Sequence, residues 1–223
     1  MAARAVALSS DVAGGWGILG GTFDPVHYAH LAIAEQTRET LRLAGVWFVP
    51  AGEPPHKRGR PITPIDDRVE MVRLAIEDNP RFMLSRAEAD RSGASYTVDT
   101  LEAMARRDPD VVRVLIVSAE ALGGFPDWRD PSRILELSHV AVVPRRGYGR
   151  PDVAWLTERF PGAEHRFIFL DGPDLGHSAS AIRTLVADGR SIRYLVPAAV
   201  ETYIHERRLY RPTPTPVTTT MEV

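Results

Sequence analysis

Apolar residues recur along the chain in two alternating rhythms. Short runs rich in β-branched and aromatic side chains, WGIL (16–19), VWFVPAG (46–52), FMLSRAEAD, HVAVVPRR and HRFIFLDG, read as strands. VVRVLIVS (111–118) is continuous, β-branched and bounded by polar residues, the pattern of a strand covered on both faces. Between these runs lie longer amphipathic stretches that predict helices. They are 26–44, 67–78 with Val69, Val72, Leu74 and Ile76 as its apolar side, and SYTVDTLEAMARRD, which opens on Ser and carries Asp99 near its start. SAIRTLVADG predicts a helix ending at Gly189, and PAAVETYIHERRLY a last helix begun by Pro197.

Strand and helix in alternation predict an α/β fold, a doubly wound and mainly parallel sheet with right-handed crossovers. The last two helices form a small C-terminal subregion. No internal repeat or linker divides the chain, so one domain is expected over 15–210. Residues 1–14 are expected to be a flexible lead, and the Pro/Thr-rich 211–223 a disordered tail.

Composition narrows the function classes. The 223 residues can bury a substantial core. A net charge of -2 gives no general attraction to nucleic acid, and no nucleic-acid partner is expected. The chain has no cysteine, which removes disulfides, zinc–thiolate sites and a Cys nucleophile. The early AVAL run is too short for a signal-peptide core, and no segment approaches the ~20 apolar residues of a membrane helix. A cytoplasmic protein without a membrane partner is expected, with room left for a homo-oligomer.

Candidate chemistry begins in GGWGILGGTFDPVHYAH (14–30). GWGILG formally fits the dinucleotide-binding pattern G-x-G-x-x-G, but that pattern needs its glycines after a strand. Here Gly15 and Gly17 precede or interrupt the strand, and the acidic residue due roughly 20 positions later falls near Thr40. A P-loop is excluded because G-x-x-x-x-G-K-[ST] is absent. GGTFDPVHYAH meets the context test. Gly20 and Gly21 follow the strand, where a backbone without Cβ atoms can approach a phosphate. Asp24 suits a helix cap and Pro25 a first helical position. His27 and His30, at i and i+3, share one helix face beside the positive end of the helix dipole. Strand, Gly-Gly, Asp-Pro and His-x-x-His together read as an anion site.

GGTFDPVHYAH resembles the GGxFDPxHxGH signature of the HxGH nucleotidyltransferases, with Ala29 where Gly is usual. HSASAIR, which ends at Arg183, is similar to their second signature, ISSTxIR, with His177, Ala179 and Ser180 as departures. Within that superfamily the chain most resembles the bacterial nicotinate-nucleotide adenylyltransferases, from Trp16 to Tyr210. FVPAGEPPHK, SYTVDTL, PDWRD and VVPRRGY carry the likeness. SAEAL departs from it, with Ser118 and Glu120 where the family has Gly and Asp.

The resemblance implies a Rossmann-like fold and adenylyl transfer from ATP to nicotinate mononucleotide, with Mg²⁺ bound mainly through the ATP phosphates. It implies catalytic roles for His27, His30, Lys57 and Arg183. ATP would be bound by Gly20, Gly21, Thr22, Phe23, His27, His30, Ser118, Glu120, Ser178, Ser180 and Arg183. Nicotinate mononucleotide would be held by Lys57, Tyr96, Thr97, Trp128 and Arg129, with Trp128 stacking on the flat, cationic ring. The residues alone leave three readings open. They are the nicotinate enzyme, an adenylyltransferase for another acceptor such as nicotinamide mononucleotide or phosphopantetheine, and a non-catalytic nucleotide-binding module.

Overall fold

A computed structural model describes residues 11–54, 62–145, 147–148, 153–172, 176 and 178–212. Among these, six parallel strands form one sheet: β1 (Trp16–Gly21), β2 (Gly45–Pro50), β3 (Phe82–Leu84), β4 (Arg113–Ser118), β5 (His139–Val143) and β6 (Phe167–Phe169). The helices are α1 (Tyr28–Leu41), α2 (Ile65–Ile76), α3 (Thr97–Arg107), α4 (Ala119–Gly123), α5 (Pro131–Leu137), α6 (Val153–Arg159), α7 (Ala179–Ala187) and α8 (Ala198–Glu206). None is long and apolar enough to cross a membrane. The strand order β3-β2-β1-β4-β5-β6 is the doubly wound arrangement expected.

The sheet is apolar on both sides because helices cover both. Successive residues of β1 show this: Leu19 packs with Leu41, Met71, Ile182 and Val200, while Ile18 packs with Leu101, Leu122 and Ile134 on the opposite face. The last two helices therefore share the α1 and α2 side of the core rather than standing apart. The packed chain also begins earlier than residue 15. Val12 is fully buried, and Gly14 N–H is bound by Arg42 O at 2.9 Å, so the described end of the expected lead is fixed. Residues 1–10 and 213–223 lie outside the described residues.

The elements differ from the sequence reading mostly at their ends. β1 continues through Gly20 and Gly21, which pair with Val49 and Pro50, so the glycines close the strand instead of following it. α1 starts later than expected, with His27 as its N-cap; Asp24 caps nothing, and Pro25 lies before the helix. α3 likewise begins beyond Ser95, whose hydroxyl instead accepts from Gly52 N–H and Glu53 N–H. Helices α4, α5 and α6 are too short, at five to seven residues, to display an amphipathic period.

Candidate active site

Where strand order reverses, β1 and β4 lie side by side, and helices leave their C-terminal ends toward opposite faces. Their ladder runs only from Trp16↔Arg113 to Ile18↔Leu115. Beyond it β1 stays paired to β2 as far as Gly21, and β4 to β5 as far as Ser118. One seam of the sheet thus opens at its C-terminal edge, the position at which doubly wound sheets bind ligands.

The glycines of the opening stretch divide by what surrounds them. A Cβ on Gly17 would lie 3.0 Å from Val46 and 3.1 Å from Ile116, inside the core. A Cβ on Gly20 would meet nothing within 4 Å, and this exposed glycine lines the open seam. Thr22 follows on the surface side. Phe23 turns inward, buried against Phe48 and lying edge-on to His30 with ring centroids 5.0 Å apart. Its ring supports the site from below, and only its backbone can face a ligand.

His27 and His30 do share one face, but at different depths. Their rings stack with centroids 3.8 Å apart, His27 buried and His30 half-buried above it. His27 N–H donates to His30 Nδ1 at 3.2 Å, which orients the outer imidazole. Ala29 is buried in the helix interface, so its methyl points into protein.

The second signature joins the first through Arg183. Its Nη1 donates to Asp24 O at 2.7 Å, across 159 residues of chain, and its Nη2 to Ser180 Oγ at 3.3 Å. Ser178 is the N-cap of α7, its Oγ accepting from Ala181 N–H at 3.2 Å. Ser118 does the same for α4, accepting from Ala121 N–H at 3.1 Å. The Glu120 carboxylate is exposed and held by Arg145 at 3.3 Å and by the Tyr148 hydroxyl at 3.2 Å. Ser118 ends the β4 prong of the seam and Glu120 follows it in α4, each already engaged locally.

A second group gathers at the start of α3. The Arg129 guanidinium lies 4.8 Å from the Tyr96 ring centroid and pairs with Asp99 at 3.4 Å. Trp128 packs on Phe125 with centroids 5.3 Å apart and remains partly open to solvent. Thr97 opens the helix between them. Tyr96, Thr97, Trp128 and Arg129 thus form one surface. Lys57 falls outside the described residues.

Asp24, read from sequence only as a helix cap, and two residues given no site role there, Tyr210 and Arg68, organise this region. Asp24, buried, accepts from the Tyr210 hydroxyl at 2.8 Å and from Thr63 N–H at 3.4 Å. Burial, reinforced by the adjacent Asp24 carboxylate, pushes the Tyr210 hydroxyl far above its ordinary pKa and keeps it a donor. Arg68, 2% exposed, donates to four backbone carbonyls around the site. A polar residue inside the α2 period was the available signal for Arg68; nothing local marked Tyr210.

The cytidylyltransferase-like family model matches residues 18–185, from within β1 to within α7. A "probable nicotinate-nucleotide adenylyltransferase" of Thermomicrobium roseum is 45% identical over 208 residues, 91% of this chain and 97% of the relative. A protein of the same description from Roseiflexus sp. is 47% identical over 196 residues, 87% and 97% of the two chains. In fold, the chain is similar to Plasmodium falciparum nicotinic acid mononucleotide adenylyltransferase complexed with NaAD. That match has a TM-score of 0.73 at 17% identity, over 87% of this chain and 96% of the other. With nearly all of the folded chain shared at these identities, the protein belongs to the nicotinate-nucleotide adenylyltransferase family.

Proposed function

We propose that the protein transfers the adenylyl group of ATP to nicotinate mononucleotide, forming nicotinate adenine dinucleotide and pyrophosphate. The observation that carries this reading is the Arg183–Asp24 contact, which brings both signature segments to the open end of β1. ATP lies with its phosphates over Gly20, Gly21 and the start of α1, where a backbone free of side chains meets the positive end of a helix. Nicotinate mononucleotide lies toward Tyr96, Thr97, Trp128 and Arg129, its flat ring on the indole face.

The mononucleotide phosphate attacks the α-phosphorus of ATP in line; a P–O bond forms to the acceptor and the bond to pyrophosphate breaks. A phosphate monoester has a second pKa of about 6, so the nucleophile is already largely dianionic near neutrality and needs no general base. The residues supply position and charge stabilisation. The outer edge of His30 and the guanidinium of Arg183 are the side-chain donors at the phosphates, and Lys57 is proposed to add a third donor. His27 acts from beneath, by stacking. Among the described residues no group of three His, Asp or Glu side chains forms a metal cage. The donors present are cationic or neutral, which suits a Mg²⁺ ion carried by the triphosphate and offsetting its charge.

Incubation with MgATP and, separately, nicotinate mononucleotide, nicotinamide mononucleotide and phosphopantetheine tests the reading through pyrophosphate release. Fastest release with nicotinate mononucleotide is expected. A preference for another acceptor would reassign the substrate, and ATP binding without release for any acceptor would leave a binding module.

A further inference from the structure

The two halves of the site are built on separate segments: residues 20–24, which end β1 and lead out of it, and residues 51–54 after β2, which lead by way of Ser95 to Tyr96. Arg68, from the first turns of α2, lies between them and reaches both. Its Nη1 donates to Thr22 O at 2.9 Å and to Ala51 O at 2.7 Å, and its Nη2 to Gly52 O at 3.1 Å. Its Nε donates to Thr63 O at 2.9 Å, which fixes the base of the fork. These acceptors are all backbone carbonyls, so the guanidinium holds main chain rather than a partner side chain. A lysine ammonium, a single point on a flexible stem, cannot span this set.

The opposite edge of the Gly52 peptide is held as well. Ser95 Oγ accepts from Gly52 N–H at 3.0 Å and from Glu53 N–H at 3.3 Å, while Ser95 N–H donates to Glu53 O at 3.0 Å. A Cβ on Gly52 would lie 2.4 Å from Glu88 O, so the loop is pressed against its neighbour with no room to drift. A buried cation whose hydrogen bonds all go to carbonyls, with only the nearby Asp24 carboxylate to offset its charge, is a costly device, and a small apolar residue could fill an interior more cheaply. Its placement at the junction of both reactant loops gives it a purpose.

We infer that Arg68 is a positioning residue that, with Ser95, sets the separation of the ATP loop and the acceptor loop through the Thr22, Ala51 and Gly52 carbonyls. This rests on the adenylyl-transfer reading and adds to it a residue that touches neither reactant. In-line transfer is sensitive to that separation, because a misplacement of about 1 Å can cost about 100-fold in rate.

The test uses Arg68→Lys, Arg68→Met and Ser95→Ala in the full chain, with thermal melting to confirm folding and hydrogen–deuterium exchange as a readout independent of activity. For folded Arg68→Lys, kcat is expected to fall by about 100-fold with the ATP KM changed by less than about threefold. Exchange is expected to quicken together in 20–24 and 51–54. Ser95→Ala is expected to act in the same direction but less, and the Arg68→Lys/Ser95→Ala double variant to lose less than the product of the single effects. A kcat within about twofold of wild type in folded Arg68→Lys, unchanged exchange in both loops, or fully multiplicative losses would each overturn the proposal. If neither Arg68 variant folds, Ser95→Ala decides by the same kcat and exchange criteria. If the wild type releases no pyrophosphate with any acceptor, the adenylyl-transfer reading fails, and the exchange data alone judge whether Arg68 couples the loops.

Discussion

Tyr210, two residues from the end of the described chain, donates its hydroxyl to the buried carboxylate of Asp24, 186 positions earlier in the first signature segment. The same aspartate presents its backbone carbonyl to Arg183. Both the second signature and the C-terminal segment therefore close on one residue of the loop after β1. Tyr210→Phe leaves a buried carboxylate short of its best donor and should destabilise the protein by about 1–3 kcal/mol. Urea unfolding checks this. Tyr203→Phe is the control: its hydroxyl bonds Asp67 at 2.8 Å, but Arg207 remains on that carboxylate, so a smaller loss is expected.

Gly17 and Gly20 make opposite predictions from one chemical change. Gly17→Ala forces a methyl against Val46 and Ile116 and should cost stability by about 1–3 kcal/mol, the range of overpacked cores. Gly20→Ala meets open space and should leave stability within about 0.5 kcal/mol while raising the KM for ATP. Melting curves and ATP titrations on the two variants separate scaffold from site.

His30→Ala removes the outer, half-buried ring of the stacked pair. Turnover should fall by about two to three orders of magnitude, the usual loss for one preorganised donor, with folding retained. Near wild-type turnover in the purified variant would remove His30 from the chemistry. His27→Ala, which takes away the buried ring beneath it, should lower both stability and turnover.

Glu88 carries a pH signature. Burial pushes its carboxyl above the ordinary value, against the opposing effects of hydrogen bonds from Thr100 and Ser95 and the charge of Arg91; the Thr100 bond is 2.7 Å. The folded state therefore binds this proton more tightly than the unfolded one. Its ionisation costs stability as pH rises from the ordinary glutamate range through the raised folded value, and the cost is complete above that value. Glu88→Gln removes this term. The stability of Glu88→Gln relative to wild type should rise as pH climbs from the ordinary glutamate range through the raised folded value, then level off. A constant difference across that range in urea melts would show that the carboxyl is not shifted by its site.

The alternation of strand and helix was legible because long apolar periods and β-branched runs report burial directly. The proposed anion site at Gly20 and His30 could be assembled from sequence because its parts are contiguous. What escaped the sequence arises from contacts between distant segments. The cap on α1 moved from Asp24 to His27 because the aspartate is taken by Tyr210 and Thr63, partners that no local window contains. Ser118 ends an expected strand and Ser178 precedes the expected start of its helix, yet the hydroxyls of both cap helices. Ser95 belongs to the Gly52 loop rather than to the helix it was expected to open. Arg68 lies in a helix that reads as amphipathic with charges outward, and only the convergence of the loops after β1 and after β2 on its guanidinium explains a buried cation there.

The seam between β1 and β4 gives the sheet the form of tweezers. Each arm stays stitched to its outer neighbours, β1 to β2 and β3, β4 to β5 and β6, while the shared rungs from Trp16 to Ile18 serve as the pivot. Any change of twist between the halves is converted into a change of gap at the tips, where Gly20 and Ser118 stand. Core substitutions near the pivot, far from any reactant, would thus tune the grip.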